Sequence, residues 1–385
     1  MVAMLRTCKD GVKNLKKSAL RYLNTFETHS YQGYLKIPRN YFEEVFFMGV
    51  LRGLIATAIL VLVANLSFAG TTINGAGATF PYPVYTAWAY YYYKATGNRV
   101  NYQGIGSGGG IRQITKRIVD FGGSDEMLTP EELKKRGLYQ FPSVVGAIVV
   151  VYNLRGVKDG KLKLSNKAVC DIFMGKVKYW DNPEIKKYNP SVNLPHKIIT
   201  VVHRSEGSGT TWNFTYWLSH VCKAWDKKIG YGKVVDWPVG KGAKGNQGVT
   251  NYVKQISGSI GYVEYAYKIQ NSLKAAMLET KDGNFVEPDE KTFKAAASKA
   301  SWSKKNSFYI PSNLLLAEGK NSWPLTVSTM ILLANDRPKT NKKVIEFFKW
   351  AFKHGDSTAT RLGYVPLPES VKQMVEDYFK TVVLK

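Results

Sequence analysis

Residues 196–223 read HKIITVVHRSEGSGTTWNFTYWLSHVCK, and this stretch decides the fold class. Its first eight residues, rich in β-branched types and ending on His203, have the pattern of a short strand. From Arg204 to Gly209 two glycines and two serines break that pattern. From Thr210 aromatic and apolar residues run on into a helix that reaches about Lys223. Strand, glycine-and-hydroxyl loop and helix in this order make up half of a βαβ unit.

Outward from it the same order recurs. A β-rich run at residues 72–74 leads through a Gly/Thr/Pro loop into an aromatic helix over 83–96. Residues 100–103 lead through a loop at 104–110 into a helix over 111–117, and 119–122 lead to Ser124 and Asp125. An apolar run at 144–152, a helix over 165–174, strands at 259–263 and 328–334, and helices over 341–354 and 369–379 continue the pattern. Such alternation predicts an α/β fold with helices packed on mostly parallel sheets. A chain of 385 residues exceeds one ordinary core and points to about two domains. Hydrophobic residues at 44% and charged residues at 22% are ordinary for a globular chain and set aside the disordered and fibrous classes. No fixed-period repeat or low-complexity linker marks where one domain ends.

Residues 1–47 carry no strong period and precede a second methionine, Met48. From there MGVLRGLIATAILVLVANLSFAG has a basic Arg52, an apolar run of 11 residues over 54–64, and Ser67 and Ala69 at the small-residue positions of a cleavage site. A membrane-spanning helix needs about 20 apolar residues, so residues 48–69 read as a secretory signal peptide cut after Ala69, with an uncleaved anchor as the lesser reading. No Cys stands at the cut to take a lipid. Residues 1–47 then read as an upstream extension from a start codon placed too early, and the exported part begins at Gly70.

The whole sequence carries a net charge of +25; nine of its 54 basic and four of its 29 acidic residues precede Gly70, which leaves +20 on the exported part. Such an excess draws small anions. Nucleic acid fits less well, because lysines alternate with acids, as in Glu131-Glu132-Leu133-Lys134-Lys135-Arg136, and no long block of like charge occurs. Cys170 and Cys222 are the cysteines of the exported part. An oxidising compartment permits their pairing, but spacing leaves a disulfide and two buried thiols equally open.

Three strand-to-helix loops carry the candidate chemistry: Gly75-Ala76-Gly77-Ala78-Thr79-Phe80, Gly104-Ile105-Gly106-Ser107-Gly108-Gly109-Gly110 and Arg204-Ser205-Glu206-Gly207-Ser208-Gly209-Thr210. In each, glycine lets a ligand approach the backbone, a hydroxyl can donate, and the following helix offers unpaired N–H groups at the positive end of its dipole. That is equipment for a tetrahedral oxyanion. One such loop is ordinarily a turn and an N-cap; three, with an arginine in one, exceed what capping needs.

The second loop also spells Gly104-x-Gly106-x-x-Gly109, with Asp125 near the spacing of a ribose-binding acid, so a nucleotide-dependent oxidoreductase is the reading from another class. Export argues against a nicotinamide cofactor, and that reading leaves the other two loops unused. No phosphate-binding G-x-x-x-x-G-K-[ST] and no G-x-S-x-G elbow occurs, and the five histidines have no metal-ligand spacing. His203 reads as a strand-end residue rather than a base. The residue types therefore favour binding over catalysis, with no cofactor and no metal.

At these loops the chain resembles the phosphate-binding proteins of bacterial high-affinity phosphate ABC transporters. The likeness runs over residues 72–385, through INGAGATFPYPVY (73–85), NYQGIGSGGG (101–110), VDFGGSD (119–125), VVHRSEGSGTTWNF (201–214), GNQGV (245–249), SIGYVEYA (259–266) and GDSTATRLGYVPLP (355–368). The resemblance implies an α/β, two-domain periplasmic-binding-protein fold with a hinge and an interdomain ligand cleft. Its first domain would comprise residues 70–150 and 326–385, and its second 151–325. It implies a periplasmic monomer that takes inorganic phosphate to the membrane permease subunits of an ABC transporter. Thr79, the Phe80 N–H, Ser107, Ser208, Gly209 and Thr210 would donate to phosphate, Arg204 would give a charged fork, and Asp125 would be the one acceptor. One departure stands out: Glu206 occupies a position where the family often has Asp, which puts its pairing with Arg204 and its tuning of affinity in question. A related secreted phosphate-binding protein with a phosphatase or adhesive role is the alternative.

Asp125 also carries an argument from chemistry. Phosphate near neutral pH keeps at least one proton and sulfate keeps none, so a buried carboxylate accepts from the first and repels the second. The plainer reading makes Asp125 a helix cap, yet Thr129-Pro130-Glu131-Glu132 already supplies a helix start.

Overall fold

The computed structural model describes residues 48–49 and 70–385; the expected extension, and the expected leader apart from Met48 and Gly49, lie outside the described residues. Twelve strands follow one another among the described residues: β1 (Thr72–Gly77), β2 (Arg99–Gly104), β3 (Phe121–Ser124), β4 (Leu138–Tyr152), β5 (Lys163–Leu164), β6 (Thr200–Arg204), β7 (Lys241–Ala243), β8 (Ser259–Glu264), β9 (Lys274–Ala275), β10 (Met277–Glu279), β11 (Phe285–Val286) and β12 (Thr326–Ala334). The main sheet runs β2-β1-β3-β12-β4-β8-β6-β7, with β9 also on β4, and β11-β10-β5 form a small second sheet.

Strand β4 joins the two halves. Its sequence LYQFPSVVGAIVVVY is apolar almost without a break and buried throughout except at the half-buried Tyr139, as a strand covered on both faces must be. Residues 138–147 pair antiparallel with β12, and residues 148–152 pair antiparallel with β8. On one side β1 runs parallel to β2 and β3; on the other β6 runs parallel to β7 and β8. The sheet is therefore mixed, where alternation of strands and helices predicts a mostly parallel one. The chain re-enters the first half through β12, which lies antiparallel to both β3 and β4 and so needs no crossover helix of its own.

Pro142 sits inside β4 without an N–H to give. The register opposite β12 slips there, so that Thr329 faces Val144 and Met330 faces Pro142. This bulge absorbs the proline and re-aims its neighbours. Ser143, the extra residue, donates to the Thr329 carbonyl at 3.0 Å and lies 2.5 Å from the Tyr85 hydroxyl.

One helix begins earlier than its composition predicts. Gly108, Gly109 and Gly110 have poor helix propensity and read as loop, yet the helix spans Ser107–Thr115. Packing decides it: a Cβ on Gly110 would stand 2.6 Å from Gly77 Cα and 2.7 Å from the Ala76 carbonyl, so only glycine lets this helix lie against β1.

Cys170 and Cys222 form a disulfide, with Cα atoms 6.4 Å apart and 52 residues of separation. Cross-linking a loop of this length stabilises by about 2–4 kcal/mol, mainly by restricting the unfolded chain. The double variant Cys170→Ser/Cys222→Ser should therefore unfold at a clearly lower urea midpoint than the oxidised protein. Equal midpoints would show that no such bridge forms in solution. Among the described residues no helix is long and apolar enough to cross a membrane.

Candidate functional site

The loop after β1, the start of the Ser107–Thr115 helix, the end of β3 and the loop from β6 into the Gly209–Val221 helix converge on one place. The first three belong to one half of the sheet and the last to the other. They touch: the Gly108 N–H donates to the Gly207 carbonyl at 2.9 Å, and a Cβ on Gly209 would stand 2.3 Å from Ser107 Oγ and 2.8 Å from Asp125 Cβ. Glycine at 209 is thus a condition of the close approach, because any side chain would hold the loops apart.

Donors line this junction. Ser107, Ser208 and Thr210 are buried and Thr79 is half-buried. Ser107 Oγ accepts from the Asp125 N–H at 3.1 Å, Ser208 Oγ from the Thr211 N–H at 3.0 Å, and Thr210 Oγ1 from Arg204 Nη1 at 3.2 Å. Thr79 Oγ1 accepts from the Asn246 backbone and side-chain nitrogens at 3.2 and 2.9 Å. A hydroxyl that accepts from the protein keeps its own proton to give, so all four remain donors. The Phe80 N–H has no backbone partner among the described residues. Gly209 and Thr210 open their helix, where N–H groups have no intrahelical acceptor.

Arg204 supplies the charge. Its side chain is 1% exposed, and its Nε donates to Glu206 Oε1 at 2.9 Å while Nη2 contacts the same oxygen. The longer Glu206 side chain thus still pairs with the arginine, and Oε1 also takes the Gly245 N–H at 3.1 Å. One edge of the guanidinium is held by Glu206, which orients the fork and leaves its remaining N–H groups for a ligand.

Asp125 is 2% exposed and accepts from the Thr329 hydroxyl at 2.7 Å, through the residue that the β4–β12 bulge aims at it. Burial pushes its carboxyl up to about 7, against the opposing pull of Thr329, Arg204 and Ser107. It caps no helix: the Pro130–Arg136 helix is capped by Thr129, in a reciprocal box with Glu132. The residues singled out in the sequence therefore meet at one junction.

Sequence reasoning passed over others. Asn246 is fully buried and ties Thr79 to the Glu264 N–H, which it accepts at 2.9 Å. Its signal was present, since GNQGV follows β7 as a further strand-to-helix turn. Lys233 forms an ion pair with the buried Glu126 at 2.5 Å, from a stretch with no strand or helix pattern to mark it. Thr329 lies within a uniformly buried strand, and only the bulge gives it a role.

The turn that carries the dinucleotide pattern serves a protein contact here. A Cβ on Gly106 or on the neighbouring Gly108 would meet the Gly207 backbone at 2.7 and 3.2 Å, so this turn is packed against the 206–207 segment. His203 stacks on Trp237 with centroids 4.7 Å apart, and burial lowers its pKa.

The PBP superfamily domain matches residues 63–353. The phosphate-binding protein PstS of Pasteurella multocida is 49% identical over 328 residues, 85% of this chain and 95% of its own length. Its counterpart in Haemophilus influenzae is 48% identical over 326 residues, 84% of this chain and 97% of its own. Among solved structures, the phosphate-binding protein from Stenotrophomonas maltophilia is similar at a TM-score of 0.60 and 20% identity, covering 81% of this chain and 95% of that one, a likeness that speaks to the fold alone. A superfamily domain over most of the chain, with near-half identity along nearly the whole length of such relatives, places the sequence: it belongs to the PstS phosphate-binding protein family of the PBP superfamily.

Proposed function

We propose that this chain binds inorganic phosphate between its two lobes and delivers it to the permease subunits of a phosphate ABC transporter. The observation that carries the reading is the donor set: four hydroxyls, three free backbone N–H groups and one buried arginine surround a single acceptor, Asp125. A tetrahedral anion that still carries a proton is the complement of many donors and one acceptor.

In this reading Thr79, Phe80, Ser107 and Asp125 bind from one lobe, and Arg204, Ser208, Gly209 and Thr210 from the other, with Glu206 behind the arginine. The lobes are residues 70–150 with 326–385, and residues 151–325. The change of partner along β4, between Ala147 and Ile148, supports a hinge near that boundary. The protein is a periplasmic monomer, exported by a leader over residues 48–69 cut after Ala69, and a carrier rather than an enzyme.

An anion shared by two lobes is fully bound only when they close, so phosphate shifts the population toward the closed form. At a concentration a hundredfold above the dissociation constant it should stabilise the fold by about 2.7 kcal/mol, seen as a rise of several degrees in melting temperature. Equal sulfate at pH 8 should stabilise by no more than about 0.4 kcal/mol. An unmoved melting temperature in saturating phosphate overturns the reading.

A further inference from the structure

Glu264 closes β8, is 0% exposed, and lies one hydrogen-bonded neighbour away from the phosphate donors. Its Oε2 accepts the Ala266 N–H at 2.8 Å, which caps the Tyr265–Gln270 helix. That helix carries Tyr267, whose hydroxyl donates to the Thr79 carbonyl at 2.6 Å. The Thr79 carbonyl and the Phe80 N–H belong to one trans peptide and point in opposite directions. Holding the first therefore aims the second. On the next peptide, the Tyr364 hydroxyl reaches the Phe80 carbonyl at 2.7 Å. Two tyrosines thus grip the carbonyls on either side of the Phe80 backbone.

The proton count at Tyr364 is the informative part. Its single hydroxyl proton has two oxygens in reach, the Phe80 carbonyl at 2.7 Å and Glu264 Oε2 at 3.1 Å. The carbonyl cannot donate, so the proton goes there, and contact with Glu264 then requires the carboxyl to bring a proton of its own. Glu264 Oε1 is buried with no partner, which an anionic oxygen tolerates far less than a neutral carbonyl oxygen. Burial raises its pKa well above the ordinary value, against the smaller pull of the Ala266 and Tyr267 N–H groups and of Tyr364, and among the described residues no ion pair reaches it. The titratable groups that face it are Tyr364, Tyr267 and Tyr265, each held neutral chiefly by burial, and Asp125, whose charge pushes the pKa further up.

We propose that Glu264 is an un-ionised carboxylic acid that donates to Tyr364 and, with Tyr267 and Tyr364, is a positioning residue for the Phe80 N–H. The inference rests on the phosphate reading for what that N–H binds, but not for the state of the acid. Keeping Glu264 neutral also removes a negative charge that would oppose an incoming anion.

Infrared difference spectra between wild type and Glu264→Gln at pH 7 read the acid directly. The carbonyl band of a protonated carboxylic acid should be lost in the variant, and the same band should persist in the wild type alone to pH 8. Loss of carboxylate bands only, or a wild type without the acid band, overturns the proposal. In phosphate titrations Glu264→Gln should bind no more tightly than wild type across pH 6–8, since the amide is as neutral as the acid and replaces only one of the two contacts that Oε2 makes, to Ala266 or to Tyr364. A gain of more than about tenfold would mean that an ionised carboxylate had been repelling the ligand and would overturn it too. Tyr267→Phe and Tyr364→Phe should each weaken phosphate about tenfold, the worth of one lost buried hydrogen bond, and wild-type affinity in both would refute the clamp. Should the wild type itself bind no phosphate, the parent reading falls while the infrared band still decides the state of Glu264.

Discussion

Arg204→Met should lose phosphate affinity by about 3–5 kcal/mol, between two and four orders of magnitude, without unfolding. The guanidinium is 1% exposed, so no water stands ready to replace it. Removing it leaves two negative groups facing each other across the junction: the ligand, and Glu206, whose Oε1 would retain only the Gly245 N–H while Oε2 has no partner already. Arg204→Lys separates charge from geometry. A lysine restores the cation but not the fork that engages Glu206, Thr210 and a ligand oxygen together, so it should recover only part of the loss. Calorimetric titration reads both variants, and circular dichroism checks that they fold. Binding by Arg204→Met within about tenfold of wild type would remove the arginine from the site.

Asp125→Asn should weaken phosphate modestly and strengthen sulfate, reducing discrimination between them by about 2–4 kcal/mol, since an unpaired buried charge costs more than one hydrogen bond gains. The carboxylate accepts phosphate's proton and repels sulfate's bare oxygen; the amide can donate to either. The wild type should show the same effect with pH. Its folded-state pKa, raised from 3.8 to about 7 chiefly by burial, makes the ionised form dominant only above neutrality. Discrimination should therefore be full at pH 8 and fade as pH falls through about 7, whereas Asp125→Asn should stay flat over that range. The sign for stability runs the other way. A carboxyl whose pKa is raised by folding contributes stability to the ligand-free protein that is present below about pH 4 and lost as pH rises through 7. Full selectivity in the variant would show that another group discriminates.

Much of this site was legible because local chemistry and local structure coincide there. Thr79, Ser107, Arg204 and Ser208 lie in glycine-rich turns between strand and helix, and such turns announce exposed N–H groups in sequence. Asp125 stood out once Thr129 was seen to supply the cap. The rest depends on tertiary contacts that no period records. The helical run Gly108–Gly110 follows from the approach of β1, and the role of Thr329 follows from a bulge made by Pro142 on the neighbouring strand. Antiparallel β12 reads like any buried strand, because burial on both faces erases the alternation that direction and pairing would leave. Glu264 lies inside a quoted motif, SIGYVEYA, but its chemistry appears only when Tyr364, 100 residues away, is placed beside it.

Titrating the purified protein calorimetrically with phosphate and, in parallel, with sulfate at pH 8 reaches the whole reading at once. One phosphate should bind per chain, with sulfate at least about a hundredfold weaker, as a junction with many donors and one ionised acceptor requires. No heat with phosphate, or equal affinity for the two anions, would contradict it.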